Sequence, residues 1–375
     1  MSETPPPNLP ALPHTGLGAV LRDRLAAGPI SVADYMQLAL AHPDHGYYRT
    51  RDPLGGRGDF ITAPEISQMF GELIGIWCAH VWGLIGTPNP IRLVELGPGR
   101  GTLMADALRA CRKVAARFTE AAELHLIETS PVLRAAQRAA LPGVNVTWHD
   151  SLNTLPDDGP ILVIGNEFLD ALPIHQLVRT AEGWRERQVT LDEQGRLTYA
   201  VDDHPSPLMA LLDPSASSTA TEGSITEISP AVRGFAAGLG QRIARQGGAA
   251  LLIDYGYSGP ATGDSLQAVR QHRYHPVLAD PGEADLTAHV DFAAVAAAAE
   301  HAGARAHGPV EQAIFLNRLG IIERSDMLMR ASDRSGREQI AQALHRLVGS
   351  DQMGQLFKVM AIGPRGLDLL PGFIP

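Results

Sequence analysis

Glu95 stands two residues ahead of three alternating glycines in Leu93-Val94-Glu95-Leu96-Gly97-Pro98-Gly99-Arg100-Gly101-Thr102, and this stretch is the first place in the chain where residue types and spacing could do chemistry. Glycines at Gly97, Gly99 and Gly101 let a chain turn sharply and bring its backbone against a ligand, while the free amides of a following helix donate to that ligand. The acid decides which ligand. A dinucleotide lays its pyrophosphate over such a turn, where a carboxylate repels it, and its fingerprint wants a third small residue where this chain has Thr102. S-adenosyl-L-methionine has no phosphate but carries an ammonium and a sulfonium, both of which a carboxylate attracts. The plainer alternative is an ordinary glycine-rich turn of an α/β protein.

A second group lies in Gly165-Asn166-Glu167-Phe168-Leu169-Asp170, where two acids stand three residues apart behind an apolar run. Two carboxylates can hold a guanidinium through forked, planar hydrogen bonds, orienting one nitrogen and stabilising positive charge. A guanidinium is fully protonated, so such a site must also direct a lone pair at the methyl carbon. Asp170 could equally cap a helical turn. Glu128 follows another apolar run at the distance expected of an acid that bridges both ribose hydroxyls of an adenosyl group, and Asp150 follows a third, where the adenine amino group would lie. A capping carboxylate ahead of Pro131 and an ordinary Asp-Ser turn are the structural alternatives. Gln271-His272-Arg273 and the stretch from Asp285 to Asp291 are polar clusters that could line the acceptor side, although lone histidines such as His272 and His289 are more often surface or hydrogen-bonded residues.

The elements that must position these residues follow from periodicity. Ile91 to Leu96 reads as a strand, and Leu103 to Leu108 as the helix after the turn. Three further runs, at 124–127, 144–148 and 160–164, each end in an acid or amide. In an open parallel sheet, ligands lie beyond the carboxyl ends of the strands, which gathers Glu95, Glu128, Asp150, Asn166 and Glu167 around one crevice. Residues 1–15 are proline-rich and read as a flexible tail. Helices are expected over 17–27 and over 32–41, the second capped by Ser31. The glycine-rich loop from Tyr47 to Thr62 has the composition of a lid, and a helix over 65–85 carries an apolar stripe (Met69, Phe70, Leu73, Ile74, Trp77, Val81) read as core. Short β-like runs between 174 and 229 predict an inserted antiparallel meander with a Pro/Ser/Thr-rich loop at 202–223. The sheet resumes at Gly248 to Gly256, and the run from Phe357 to Gly363 closes it. The expected organisation is a tail (1–15), an N-terminal helical cap with the lid (16–88), and a ligand-binding domain (89–375) interrupted by the insertion.

The 375-residue chain, 45% hydrophobic and 19% charged, has an ordinary globular composition. With 31 basic against 41 acidic residues the net charge is -10, which argues against a nucleic-acid partner. Cys78 and Cys111 are outside any metal-ligand or redox spacing, so no metal site is expected and a reducing compartment fits. No apolar run reaches membrane-spanning length, and the first residues resemble neither a signal nor a transit peptide, so a soluble cytoplasmic protein is expected.

Several long motifs carry a resemblance. GYYRTRDPLGGRGDFITAPEISQMFGELIGIW, LVELGPGRGTLMADALR, GNEFLDALPIHQL, ALLIDYGY and DLTAHVDF, in that order, resemble the MidA-like proteins and the mitochondrial complex I assembly methyltransferase related to them. The resemblance implies a class I methyltransferase fold: a Rossmann-like, mostly parallel sheet with helices on both faces. It also implies S-adenosyl-L-methionine bound at Glu95 to Gly101 and Glu128, an acidic post-strand motif at Asn166, Glu167 and Asp170, and a protein arginine as acceptor. In the mitochondrial relative that arginine belongs to a complex I subunit. Two other readings keep the same glycine turn: an assembly factor that binds the donor without catalysis, and a small-molecule methyltransferase. Oligomeric state is left open.

Overall fold

The computed structural model describes residues 9–50, 62–213, 220–259 and 261–373. Most of the expected lid loop, the RGDF part of its motif, the first half of the tail and part of the 202–223 loop lie outside the described residues.

The larger of two units comprises Ile61–Leu169, Arg233–Ser258 and Val290–Pro375. Its sheet is built from β1 (Ile91–Leu96), β2 (Ala122–Ile127), β3 (Val146–His149), β4 (Ile161–Asn166), β5 (Gly248–Tyr257), β6 (Ala304–Glu311) and β7 (Phe357–Pro364), in spatial order β6-β7-β5-β4-β1-β2-β3. Strands β3, β2, β1, β4 and β5 run parallel, and β7 lies antiparallel between β5 and β6. Val290–Asp291 adds a short parallel pairing to the end of β5. The order reverses between β1 and β4, so the crevice beyond their carboxyl ends is the topological switch point, where an open α/β sheet binds its ligand. Strand β1 is central and buried along all six residues, which is why it reads as a continuous apolar run rather than an alternating one.

The helices follow from capping and spacing. The helix expected over 65–85 is two: a single turn α1 (Ala63–Ile66), then α2 (Gln68–Leu84), separated at Ser67, whose side chain accepts from Met69 N and starts the second. The α2 stripe is core as expected, with Met69, Phe70, Ile74, Trp77 and Val81 fully buried, each contributing roughly 1.5–3 kcal/mol. Gly75 lets α2 close on α3 (Thr102–Val114), since an added Cβ would stand 2.7 Å from the Ala107 backbone. Helix α4 (Pro131–Ala140) starts at a Ser130 cap; α5 (Pro230–Gln246), α6 (Phe292–His301) and α7 (Ile321–Arg330) complete the set used below. No helix among the described residues is long and apolar enough to cross a membrane.

The smaller unit joins Met1–Phe60, Asp170–Val232 and Gly259–His289. This departs from the expected organisation, which kept the first helices apart from the insertion. The reason is a two-residue strand, Ile30–Ser31, that pairs antiparallel with Val189 and Gln188 of the meander. The meander forms as expected, with strands His175–Thr180, Gly183–Leu191, Leu197–Pro205 and Ile225–Ile228. A three-stranded sheet over residues 267–287 joins it through a shared core that includes Tyr35, Met36, Ile174, Val189, Leu266 and Leu286. Ser31 caps Val32–Ala41 as expected, accepting from Asp34 N at 3.0 Å.

Candidate active site

At the end of β1 the burial that makes the strand apolar also encloses Glu95. Glu95 is 4% exposed, and its buried Oε2 has no hydrogen-bond partner among the described residues. Burial pushes its pKa up to about 8. Gly97, Gly99 and Gly101 follow at φ +53°, +54° and +84°, backbone that side-chain-bearing residues rarely adopt. A Cβ on Gly97 would also stand 3.2 Å from the Phe168 ring, so the turn packs against Phe168. Gly101 caps α3 without a side chain to bond its amides, and Thr102, the first helical residue, instead donates its hydroxyl to Glu65 Oε1 at 2.5 Å.

The ends of β2 and β3 are pinned together. Glu128 N donates to His149 O at 3.0 Å, and Arg134 of α4 donates to Glu128 O and to Asp150 Oδ1, each at 2.7 Å. Burial raises the Glu128 carboxyl's pKa, opposed by hydrogen bonds from Ser130 N (2.7 Å) and Gln137 Nε2 (3.3 Å). Asp150, by contrast, is a solvent-facing carboxylate paired with Arg134. Gln137 had no place in the sequence-based site, yet it is fully buried and joins three parts of it. Its Nε2 donates to Gly99 O at 2.8 Å as well as to Glu128, and its Oε1 accepts from Trp148 Nε1 at 2.8 Å. A signal was available: Leu133, Gln137 and Leu141 are spaced for one helical face, and a glutamine among leucines on a buried face needs partners.

At the end of β4, Glu167 takes φ +51°, a left-handed backbone that costs a glutamate strain. Its Oε1 accepts from Asn166 Nδ2 at 3.0 Å and from Ala63 N at 3.2 Å. Asn166 Oδ1 is buried without a partner among the described residues. Because Glu95 pairs with Ile164, strand alternation puts Asn166 on the same sheet face as Glu95, one diagonal step away. The motif is braced from β5, where Asp254 Oδ2 accepts from Phe168 N (3.1 Å) and Leu169 N (2.9 Å).

Asp170 belongs to the smaller unit, so the expected pair does not share one set of partners. Its carbonyl accepts from Ala288 N at 3.0 Å. Its side chain is buried near Tyr48, whose hydroxyl donates to Asp285 Oδ1 at 2.7 Å. Burial, then the charges of Asp285 and Asp170, push the Tyr48 pKa well up. Burial lowers the His289 pKa, and His272 sits at φ +61° in a hairpin turn. Among the described residues no group of three or more His, Cys, Asp or Glu side chains is set to hold a metal ion.

Two buried acceptor atoms without a partner among the described residues, Glu95 Oε2 and Asn166 Oδ1, thus belong to side chains on one face of the sheet at its switch point. A ligand with positive charge and N–H groups suits them, and a phosphate does not.

Comparison with known proteins points the same way. A family model described as S-adenosyl-L-methionine-dependent methyltransferase matches residues 73–310. The human protein arginine methyltransferase NDUFAF7, mitochondrial, is 36% identical over 365 residues, covering 90% of this chain and 81% of that protein. The Drosophila melanogaster homolog is 39% identical over 382 residues, covering 94% and 85%. A crystal structure from Burkholderia thailandensis, of a protein assigned as a methyl transferase and bound to S-adenosyl-homocysteine, superposes with TM-score 0.83 at 34% identity over 95% of this chain and 93% of that one. A ligand-free structure from the same organism gives TM-score 0.81 at 32% identity, covering 96% and 94%. The fold class and the methyl donor expected from the motifs are borne out. The expected cytoplasmic location is overturned: the human and Drosophila melanogaster relatives are named as mitochondrial proteins, and composition with the character of the first residues was too weak a basis for it.

Proposed function

We propose that this chain, which belongs to the S-adenosyl-L-methionine-dependent methyltransferase family, transfers methyl groups to arginine side chains of a protein, an arginine of a complex I subunit during assembly. Kinship with proteins named as arginine methyltransferases supports the acceptor class, and the motif resemblance supports the complex I target. The observation that carries most weight is the Asn166–Glu167 pair at the switch point: an amide oxygen awaiting a donor, beside a carboxylate fixed by two hydrogen bonds.

In this reading Glu95, Gly97, Gly99, Gly101 and Thr102 hold the amino-acid end of the donor, Glu128 takes the ribose hydroxyls, and Asp150 lies at the adenine rim. When bound, S-adenosyl-L-methionine supplies an electrophilic methyl group on a sulfonium. Asn166 Oδ1 accepts an N–H of the acceptor nitrogen and turns it toward that group. Glu167 balances the guanidinium charge and takes the proton that the alkylated nitrogen sheds. Asp170 follows in the same motif as its second acid.

Transfer of a labelled methyl group to isolated complex I subunits tests this. Glu167→Gln should keep donor affinity within about twofold and lose on the order of a hundredfold in rate; Asp170→Asn should lose less. Arginine-to-lysine replacement in the substrate should abolish transfer, because a point charge does not reproduce the planar fork. Normal transfer by the Glu167→Gln, Asp170→Asn double variant would remove the catalytic assignment. A variant that cannot methylate yet restores complex I assembly in cells would favour the non-catalytic assembly factor.

A further inference from the structure

Glu65 lies outside the glycine motif, yet it meets that motif at its far end. Helix α1 is a single turn with two attachments: Ala63 N reaches Glu167, and Glu65 Oε1 receives the Thr102 hydroxyl at 2.5 Å. Thr102 opens α3, a 13-residue helix with no acid in its first turn and no side-chain cap at Gly101. The partial positive charge at that helix start is therefore met by a carboxylate from a different element. This is where a nucleotide-binding turn would receive phosphate.

The Glu65 carboxylate is not neutralised by a cation: among the described residues it forms no ion pair, and only one of its oxygens is engaged. The buried, unpartnered Oε2 of Glu95 stands at the near end of the same turn. Residues 95–102 are thus bracketed by two acids that no side-chain cation pairs among the described residues, one leading into the glycines and one contacting the residue after them. A ligand laid along this backbone meets an acid at each end, and a phosphate would be repelled by either acid in its ionised form. An aminoalkyl tail carrying an ammonium is attracted.

We propose that Glu65 is a specificity-determining residue of the donor site, binding the ammonium of the donor's amino-acid tail and excluding phosphate-bearing ligands from the start of α3. The inference rests on the donor already identified and is independent of which acceptor is methylated.

Calorimetric titration of the full-length protein separates this role from a merely structural one. Two ligands are compared: S-adenosylhomocysteine, which carries the amino-acid tail, and 5′-methylthioadenosine, which keeps the nucleoside and sulfur but lacks the tail. Glu65→Gln can still accept from the Thr102 hydroxyl while losing the charge. It should bind S-adenosylhomocysteine at least tenfold more weakly and 5′-methylthioadenosine within twofold of the parent. Equal losses for both ligands, or no loss for either, would overturn the proposal. Glu65→Asp, which keeps the charge on a shorter side chain, provides the second arm. It should recover at least a third of the preference for the tailed ligand that Glu65→Gln loses; a preference as low as that of Glu65→Gln would mean that the contact, and not the charge, is what matters.

Discussion

Two glutamates of the larger unit are almost equally buried and behave in opposite ways. Glu72, on the face of α2 toward α3 and α7, receives hydrogen bonds from Arg109 at 2.8 Å and from Arg324 at 2.7 and 3.1 Å. Burial pushes its pKa up, but the two guanidinium groups outweigh that and hold it below the ordinary value. Glu95, at the end of β1, has no such partner, and burial alone raises its pKa to about 8. The first acid is satisfied by the fold and clamps three helices. The second is an acid the fold encloses without a counter-charge, an arrangement of the kind expected where a ligand supplies the missing partner.

Exchanging the acids for neutral residues should pull stability and binding apart. The largest effect is on binding: Glu95→Gln should weaken S-adenosylhomocysteine on the order of a hundredfold, since a desolvated charge–ammonium attraction is lost, while the fold holds or gains above pH 8. The pH dependence has a definite sign. The folded, ligand-free pKa of Glu95 lies above its ordinary 4.5, so the folded state binds more protons than the unfolded state between about 4.5 and about 8, and this group's contribution to stability falls as pH rises through that window. A cationic ligand favours the ionised carboxylate, so binding near pH 7 should release up to one proton. Titration in two buffers of different ionisation enthalpy reads that release; its persistence in Glu95→Gln would assign it to another group. Next in size is Glu72→Ala. It should cost about 2–3 kcal/mol in chemical denaturation, less than for a fully buried pair because both arginines are partly in water, and leave donor affinity within twofold. A tenfold loss of affinity in the folded variant would mean that the helix clamp and the donor turn are coupled.

The contrast also marks where the sequence was readable. Glu95, Gly97, Gly99 and Gly101 are consecutive in one turn, so their meaning is local, and the strand-end acids follow from one rule about parallel sheets. Glu65 and Thr102 are 37 residues apart, and Gln137 and Gly99 are 38, so these contacts depend on packing that no short-range pattern encodes. The pairing of Ile30 with Val189 was hidden for the same reason, and with it the grouping of the first helices with the meander. For Glu167 and Asp170, a spacing of three suggested side chains directed together. The left-handed backbone at Glu167 is not something that a spacing of three conveys.

The smallest effect belongs to Gln137, and its pattern distinguishes one end of the donor from the other. The Gln137 amide holds Gly99 O and Glu128 Oε2 on one side and the Trp148 indole on the other, and among the described residues it makes no hydrogen bond to Glu65 or Thr102. Gln137→Leu keeps most of the volume and removes all three bonds, leaving buried groups unmet at a cost of about 1–3 kcal/mol in stability. With Gly99 and Glu128 less firmly placed, donor affinity should fall roughly three- to tenfold, an effect on positioning rather than on charge. Because Glu128 serves the ribose in the proposed site, the loss should be the same for S-adenosylhomocysteine and 5′-methylthioadenosine, whereas Glu65→Gln should penalise only the tailed ligand. A Gln137→Leu loss confined to S-adenosylhomocysteine would move Glu128 from the ribose to the amino-acid end of the site.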